Sequence, residues 1–112
     1  MKIYKTNEEV MADVKDGVLR IDGDVKFQCN VDIKATIDAL NINAKNIDAW
    51  NINARDINAL NIKALNIDAL DITYYAICVA YKSITCQTIK GTWEEHAESI
   101  CIDGELTIKG KQ

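Results

Sequence analysis

From Ile37 onward the chain returns to isoleucine at every fifth residue: Ile37, Ile42, Ile47, Ile52, Ile57, Ile62, Ile67, Ile72 and Ile77. No regular backbone accommodates that spacing. A helix turns about 100° per residue, so side chains five apart are rotated by roughly 140° and scatter around the axis. A strand alternates with period two, and because five is odd each successive isoleucine would face the opposite side. The chain must bend once per repeat to reset the alternation. That describes very short strands joined by corners and stacked as a solenoid.

A second series sets the phase. Ala39, Ala44, Ala49, Ala54, Ala59, Ala64 and Ala69 each follow an isoleucine by two, so both series share the interior. The residue between them, such as Asp38, Asn43, Asp48 or Lys63, then points to water. The residue before each isoleucine is Asn or Asp through the middle of the run, from Asn41 to Asp71. These residue types tolerate left-handed and bridging dihedrals, so the corner is expected there. Neither glycine nor proline occurs between Asp24 and Lys90, which suits a regular solenoid better than a linker.

These repeats, with small and aliphatic inward positions over residues 31–91, resemble pentapeptide-repeat proteins. The "NINA" run followed by "YYAICVAYKSITCQTIKG" also resembles a group of bacterial and prophage repeat proteins with no known activity. The resemblance implies a right-handed quadrilateral β-helix. Four repeats per coil make a square of about 20 residues and three make a triangle of about 15. On the square, Leu40 stacks on Leu60 and Trp50 on Leu70; on the triangle Leu40 meets Arg55, so the square is favoured.

The flanks read as caps. Thr6 and Glu9 have capping-box spacing, Val10, Met11 and Val14 share a helical face, and Gly17 is a stop signal. Val25, Phe27, Cys29, Val31, Ile33, Ala35 and Ile37 share strand parity. The expected architecture is an all-β, single-domain β-solenoid. It comprises a helical cap at 1–17, leading strands at 18–36, the repeats at 37–91 and an irregular cap at 92–112. Past Ile72 the repeat becomes irregular. Tyr74 stands in an alanine slot and Ile77 precedes Ile84 by seven, which suggests a bulge, or an aromatic patch of Tyr74, Tyr75 and Tyr81. With Ile77 inward, Cys78 points out, and Cys86 fills a small inward slot. Thr92 and Glu95 suggest a helical turn, and Trp93 is placed to close the core.

Little in the chain points to chemistry. The cysteines, Cys29, Cys78, Cys86 and Cys101, have no paired short spacing and read as free thiols. Cys86, His96 and Cys101 lack zinc-finger spacing and a fourth ligand, and His96 is the only histidine. No catalytic residue, metal site or cofactor is expected, and the chain reads as non-enzymatic. The start, "MKIYKTNEEV", lacks a signal peptide's apolar stretch, and no segment is long and apolar enough to span a membrane, so a cytoplasmic location is expected. A net charge of −4 argues against direct nucleic-acid binding.

The outward positions are unusually apolar. Leu40, Trp50, Leu60, Leu65 and Leu70, joined by Tyr75, suggest an interaction face covered by a second copy, as a homodimer, or by an unidentified protein. The resemblance also raises mimicry of DNA by a modulator of DNA gyrase. The acids available for it between residues 37 and 77 are Asp38, Asp48, Asp56, Asp68 and Asp71, interrupted by Lys45, Arg55 and Lys63.

Overall fold

The computed structural model describes residues 1–93, 98–101 and 104–108. In the regular part each repeat contributes one three-residue strand: β5 (Thr36–Asp38), β6 (Asn41–Asn43), β7 (Asn46–Asp48) and β8 (Asn51–Asn53). Two longer strands, β9 (Asp56–Asp68) and β10 (Asp71–Cys86), run on through the corners. Among the described residues every strand pair is parallel and side by side, and the register gives the coil length. Thr36 lies beside Asn51, Asn41 beside Asp56, Asn46 beside Asn61 and Asn51 beside Asn66. Each step is fifteen residues, so three repeats close a coil and the cross-section is a triangle, in place of the square that the resemblance implies.

The Leu40 and Arg55 juxtaposition that a triangle requires is present. The Arg55 amide donates to the Leu40 carbonyl at 2.8 Å. It costs little because the guanidinium turns away from its aliphatic neighbours, with Nη2 3.5 Å from Asn41 Oδ1 and Nε 3.6 Å from Asp56 Oδ2. Corner side chains are exposed, so polarity matching along an edge constrains the coil weakly. The interior is filled by the repeat itself, whichever coil the register sets. Ile37, Ile42, Ile47, Ile52, Ile57, Ile62, Ile67 and Ile72 are all buried, with Ala39, Ala44, Ala49, Ala59 and Ala69 beside them.

The bend itself falls between alanine and asparagine, at Leu40, Lys45, Trp50, Arg55 and Leu70, one position earlier than expected. The asparagines open the strands instead, and they are used for side-chain ladders. Asn51 Nδ2 donates to Thr36 Oγ1 at 3.1 Å, Asn66 Nδ2 to Asn51 Oδ1 at 2.9 Å, and Ser83 Oγ to Asn66 Oδ1 at 2.9 Å. A second ladder joins Asn61 to Asn46 at 2.7 Å and Asn46 to Asn30 at 2.8 Å. Identical amides stacked at the strand spacing of about 4.8 Å satisfy one another, which holds neighbouring strands in register.

Three faces result. Face I carries β2 (Val18–Arg20), β5, β8, the end of β9, the end of β10 and β13 (Glu105–Ile108). Face II carries β1 (Lys2–Tyr4), β3 (Asp24–Phe27), β6, the starts of β9 and β10, and β11 (Thr88–Gly91). Face III carries β4 (Val31–Asp32), β7, the middles of β9 and β10, and β12 (Glu98–Cys101). The leading residues Val25, Phe27, Val31, Ile33, Ala35 and Ile37 are buried as their parity requires, spread over three strands and their corners, while Cys29 is half-buried.

The amino-terminal end is covered. Helix α1 (Asn7–Ala12) has the capping box: Glu9 N donates to Thr6 Oγ1 and Thr6 N to Glu9 Oε1. Val10 is buried, whereas Met11 is 55% exposed, so the helix contacts the core through a narrower stripe than its sequence suggests. Asn7 behaves like a further strand against β4, its Nδ2 donating to the Asp32 carbonyl and its Oδ1 accepting from the Asp32 amide, both at 2.9 Å. Meanwhile β1 pairs with β3, and the two devices occupy strand edges that would otherwise be open to another chain. Tyr4 stacks on Phe27 and donates to Asp13 at 2.7 Å. Burial and that bond raise the Tyr4 phenol, and accepting from Tyr4 lowers the Asp13 carboxyl.

Candidate interaction surface

The coil length redistributes the apolar outward residues over three edges. Leu40 and Leu70 lie on the edge between faces I and II, separated by Arg55 and followed by Gln87. Leu60 and Tyr75 lie between faces II and III, after Lys45 and before Trp93. Trp50 and Leu65 lie between faces III and I, and Tyr81 extends that edge. The six residues expected to form one interaction face therefore do not. Trp50 and Leu70, expected to stack, are on different edges.

Two of those edges border face III, where β10 departs from the repeat. Its register against β9 shifts between Tyr74 and Ile77, and again between Ala80 and Ser83. The first shift adds Ala76 at the corner, and simple alternation then runs from Tyr74 to Tyr81. Tyr74, Ala76, Cys78 and Ala80 are buried; Tyr75, Ile77 and Tyr81 are exposed and Val79 is half-buried. Cys78, in register with Ile62, takes the interior position expected for Ile77, and Ile77 stands outside at 38% exposure. This corrects the assignment of Ile77 to the core and of Cys78 to the surface. The signal was in the sequence: "YYAICVAY" alternates with period two, and carrying the period of five through it gave the wrong phase.

The exchange changes the character of the face. On the preceding coil the outward pair is Asn61 and Lys63; on the bulged coil it is Ile77 and Val79. Leu60 and Tyr75 flank this surface on one side, Leu65 and Tyr81 on the other. Trp93 does not close the core. It lies outside, 43% exposed, with its ring 5.4 Å from that of Tyr75 and 8° from parallel. Toward the amino terminus the same face is polar, a shallow groove of about 360 Å³ lined by Asn46, Asp48, Asn61, Lys63 and Ile77 among others.

Burial raises the thiols of Cys78, to about 12, and of Cys86, so both are poor nucleophiles inside the core. Cys86 occupies the small inward slot, 1% exposed. His96 and the suggested helical turn around it lie outside the described residues, as does the side chain of Cys101. Among the described residues no cluster of His, Cys, Asp or Glu is arranged to hold a metal ion, and no helix is long and apolar enough to cross a membrane. The acids do not line one side of the rod: Asp38 and Asp68 are on face I, Asp56 and Asp71 on face II, and Asp48 on face III.

Comparison with protein-family models, curated proteins and solved structures returns no match for this chain. The β-solenoid is thus established by its own register.

Proposed function

We propose that this β-solenoid is a non-catalytic structural and interaction module that self-associates through the carboxy-terminal half of face III. The observation that carries the reading is the outward row of β10: Tyr75, Ile77, Val79 and Tyr81 follow one another on one side of the strand, with Ile77 and Val79 at the two positions where neighbouring coils carry Asn46 and Asp48 or Asn61 and Lys63. With Leu60 and Leu65 beside it, this row presents on the order of 400 Å² of apolar surface, comparable with the largest patch on a typical monomer. A stable pair contributes roughly 800 Å² per partner, of which the central portion is apolar and the rim polar, and the Asn and Lys groove beside the row supplies such a rim.

Absolute mass by light scattering across a hundredfold dilution tests this. A dimer in the wild type that is lost in Ile77→Lys, with an unchanged circular dichroism spectrum, supports the reading. A wild-type monomer throughout, or an Ile77→Lys dimer, refutes it.

A further inference from the structure

Face III has a row-by-row composition that restricts how a second copy can sit on it. Across the face, one row reads Lys45, Asn46, Asp48, Trp50; the next Leu60, Asn61, Lys63, Leu65; the bulged one Tyr75, Ile77, Val79, Tyr81. Neighbouring rows are a strand spacing apart, about 4.8 Å, so a shift or reversal along the rod changes every opposition.

Resting on the self-association proposed above, we infer that two copies pair face III to face III about a two-fold axis parallel to the solenoid axis, with like rows opposed. A two-fold in that direction leaves each row at its own height and exchanges left for right. Leu60 then meets Leu65 of the second copy, Tyr75 meets Tyr81 and Ile77 meets Val79, so the apolar rows bury each other. Lys63 meets Asn61, whose carbonyl accepts from an ammonium, and Asp48 meets Asn46, whose amide donates to a carboxylate. Lys45 meets the Trp50 ring, a cation over an aromatic face. All six residues of the two edges are exposed, and no like charges oppose. Two antiparallel registers are worse matched. Opposing the Leu60 row with the Tyr75 row sets Lys63 against Val79 and Asn61 against Ile77, which desolvates polar groups without partners. Opposing the Lys45 row with the Leu60 row pairs Asp48 with Lys63, but sets Lys45 against Leu60 and Asp32 against Val79. Over these three rows the isologous parallel arrangement matches polarity and buries each patch once per copy.

The arrangement is tested by mixing two variants, Leu60→Cys and Leu65→Cys, in a Cys29→Ser, Cys101→Ser background under mild oxidation. Identical positions are separated by the width of the face, on the order of 16 Å, which no disulfide spans, whereas residue 60 of one copy faces residue 65 of the other. The expected result is a covalent dimer in the mixture and little in either variant alone, with Lys63→Glu and Asp48→Lys each changing the dimer dissociation constant less than about threefold. If light scattering shows a dimer but the mixture does not cross-link, or either variant cross-links alone, the parallel register is wrong while self-association stands. A loss of about tenfold or more in both charge variants also overturns it, in favour of the Asp48 to Lys63 antiparallel pairing. Monomers at every concentration overturn both this register and the self-association on which it rests.

Discussion

The coils between Thr36 and Leu70 and the coil formed by β10 obey different rules. In the first region two consecutive residues, such as Leu60 and Asn61, turn outward at each bend, and the interior receives isoleucine and alanine at fixed intervals. In the second an added residue at the corner restores plain alternation, so the interior receives Tyr74, Ala76, Cys78 and Ala80. Regularity builds the rod, and the departure from it builds the surface. A perfect repeat would present Asn, Asp or Lys on every face, which is soluble and featureless. One extra residue is enough to place two aliphatic residues, Ile77 and Val79, between two aromatic ones in the same outward row.

The contrast is sharpest at two isoleucines that look equivalent in the sequence. Replacing Ile52 by Ala leaves a void in a fully buried column and should cost about 2–5 kcal/mol of unfolding free energy, read by urea denaturation. The same change at Ile77 should cost no more than about 0.5 kcal/mol when measured on the monomer at high dilution. Equal losses would place both in the core and contradict the inverted phase.

A smaller effect probes the regular region alone. Asn51 donates to Thr36 and accepts from Asn66, so Asn51→Ala should lower stability by roughly 1–2 kcal/mol, while Asn53→Ala, on the exposed side of the same strand, should stay within about 0.5 kcal/mol. The urea midpoints of the two variants decide whether the ladder contributes to stability.

The bulged coil also carries a pH dependence, slight near pH 9 and growing above it. Burial raises the Cys78 thiol from 9.0 to about 12. A group raised on folding contributes its stability fully below the unfolded value and loses it as pH rises toward the folded one. Unfolding free energy should therefore fall gradually between about pH 9 and pH 12, with Tyr4 and Cys86 adding the same sign, and Cys78→Ala should flatten part of the decline. Alkylation mapped by mass spectrometry at about pH 8 should leave Cys78 and Cys86 unmodified in the folded chain.

Much of this was legible in the residues. The period of five excluded helix and simple strand, the alanines fixed the phase, and Thr6 with Glu9 located the capping box. The coil length was not, because Ile, Ala and Asn recur at every repeat and stack equally well at three or four repeats per turn. Only the edges distinguish the two, and Arg55 obscured one of them by directing its charge to Asn41 and Asp56. Trp50 with Leu65, and Leu60 with Tyr75, were the informative edge pairs. The apolar outward row is hidden from a strict period of five because its own segment, "YYAICVAY", alternates with period two. Gly104 is a further close fit that composition does not reveal: a methyl group there would overlap the Lys82 carbonyl, at the second of the two register shifts in β10.

The most direct test of the central claim compares Ile77→Lys with Leu40→Lys by light scattering and thermal melting. Both residues are exposed aliphatics, one on the bulged row of face III and the other on the far edge between faces I and II. The expected result is a monomeric Ile77→Lys and a dimeric Leu40→Lys, each melting as cooperatively as the wild-type chain. A dimer that survives Ile77→Lys, or one that is lost in Leu40→Lys, would contradict the assignment of self-association to the bulged coil.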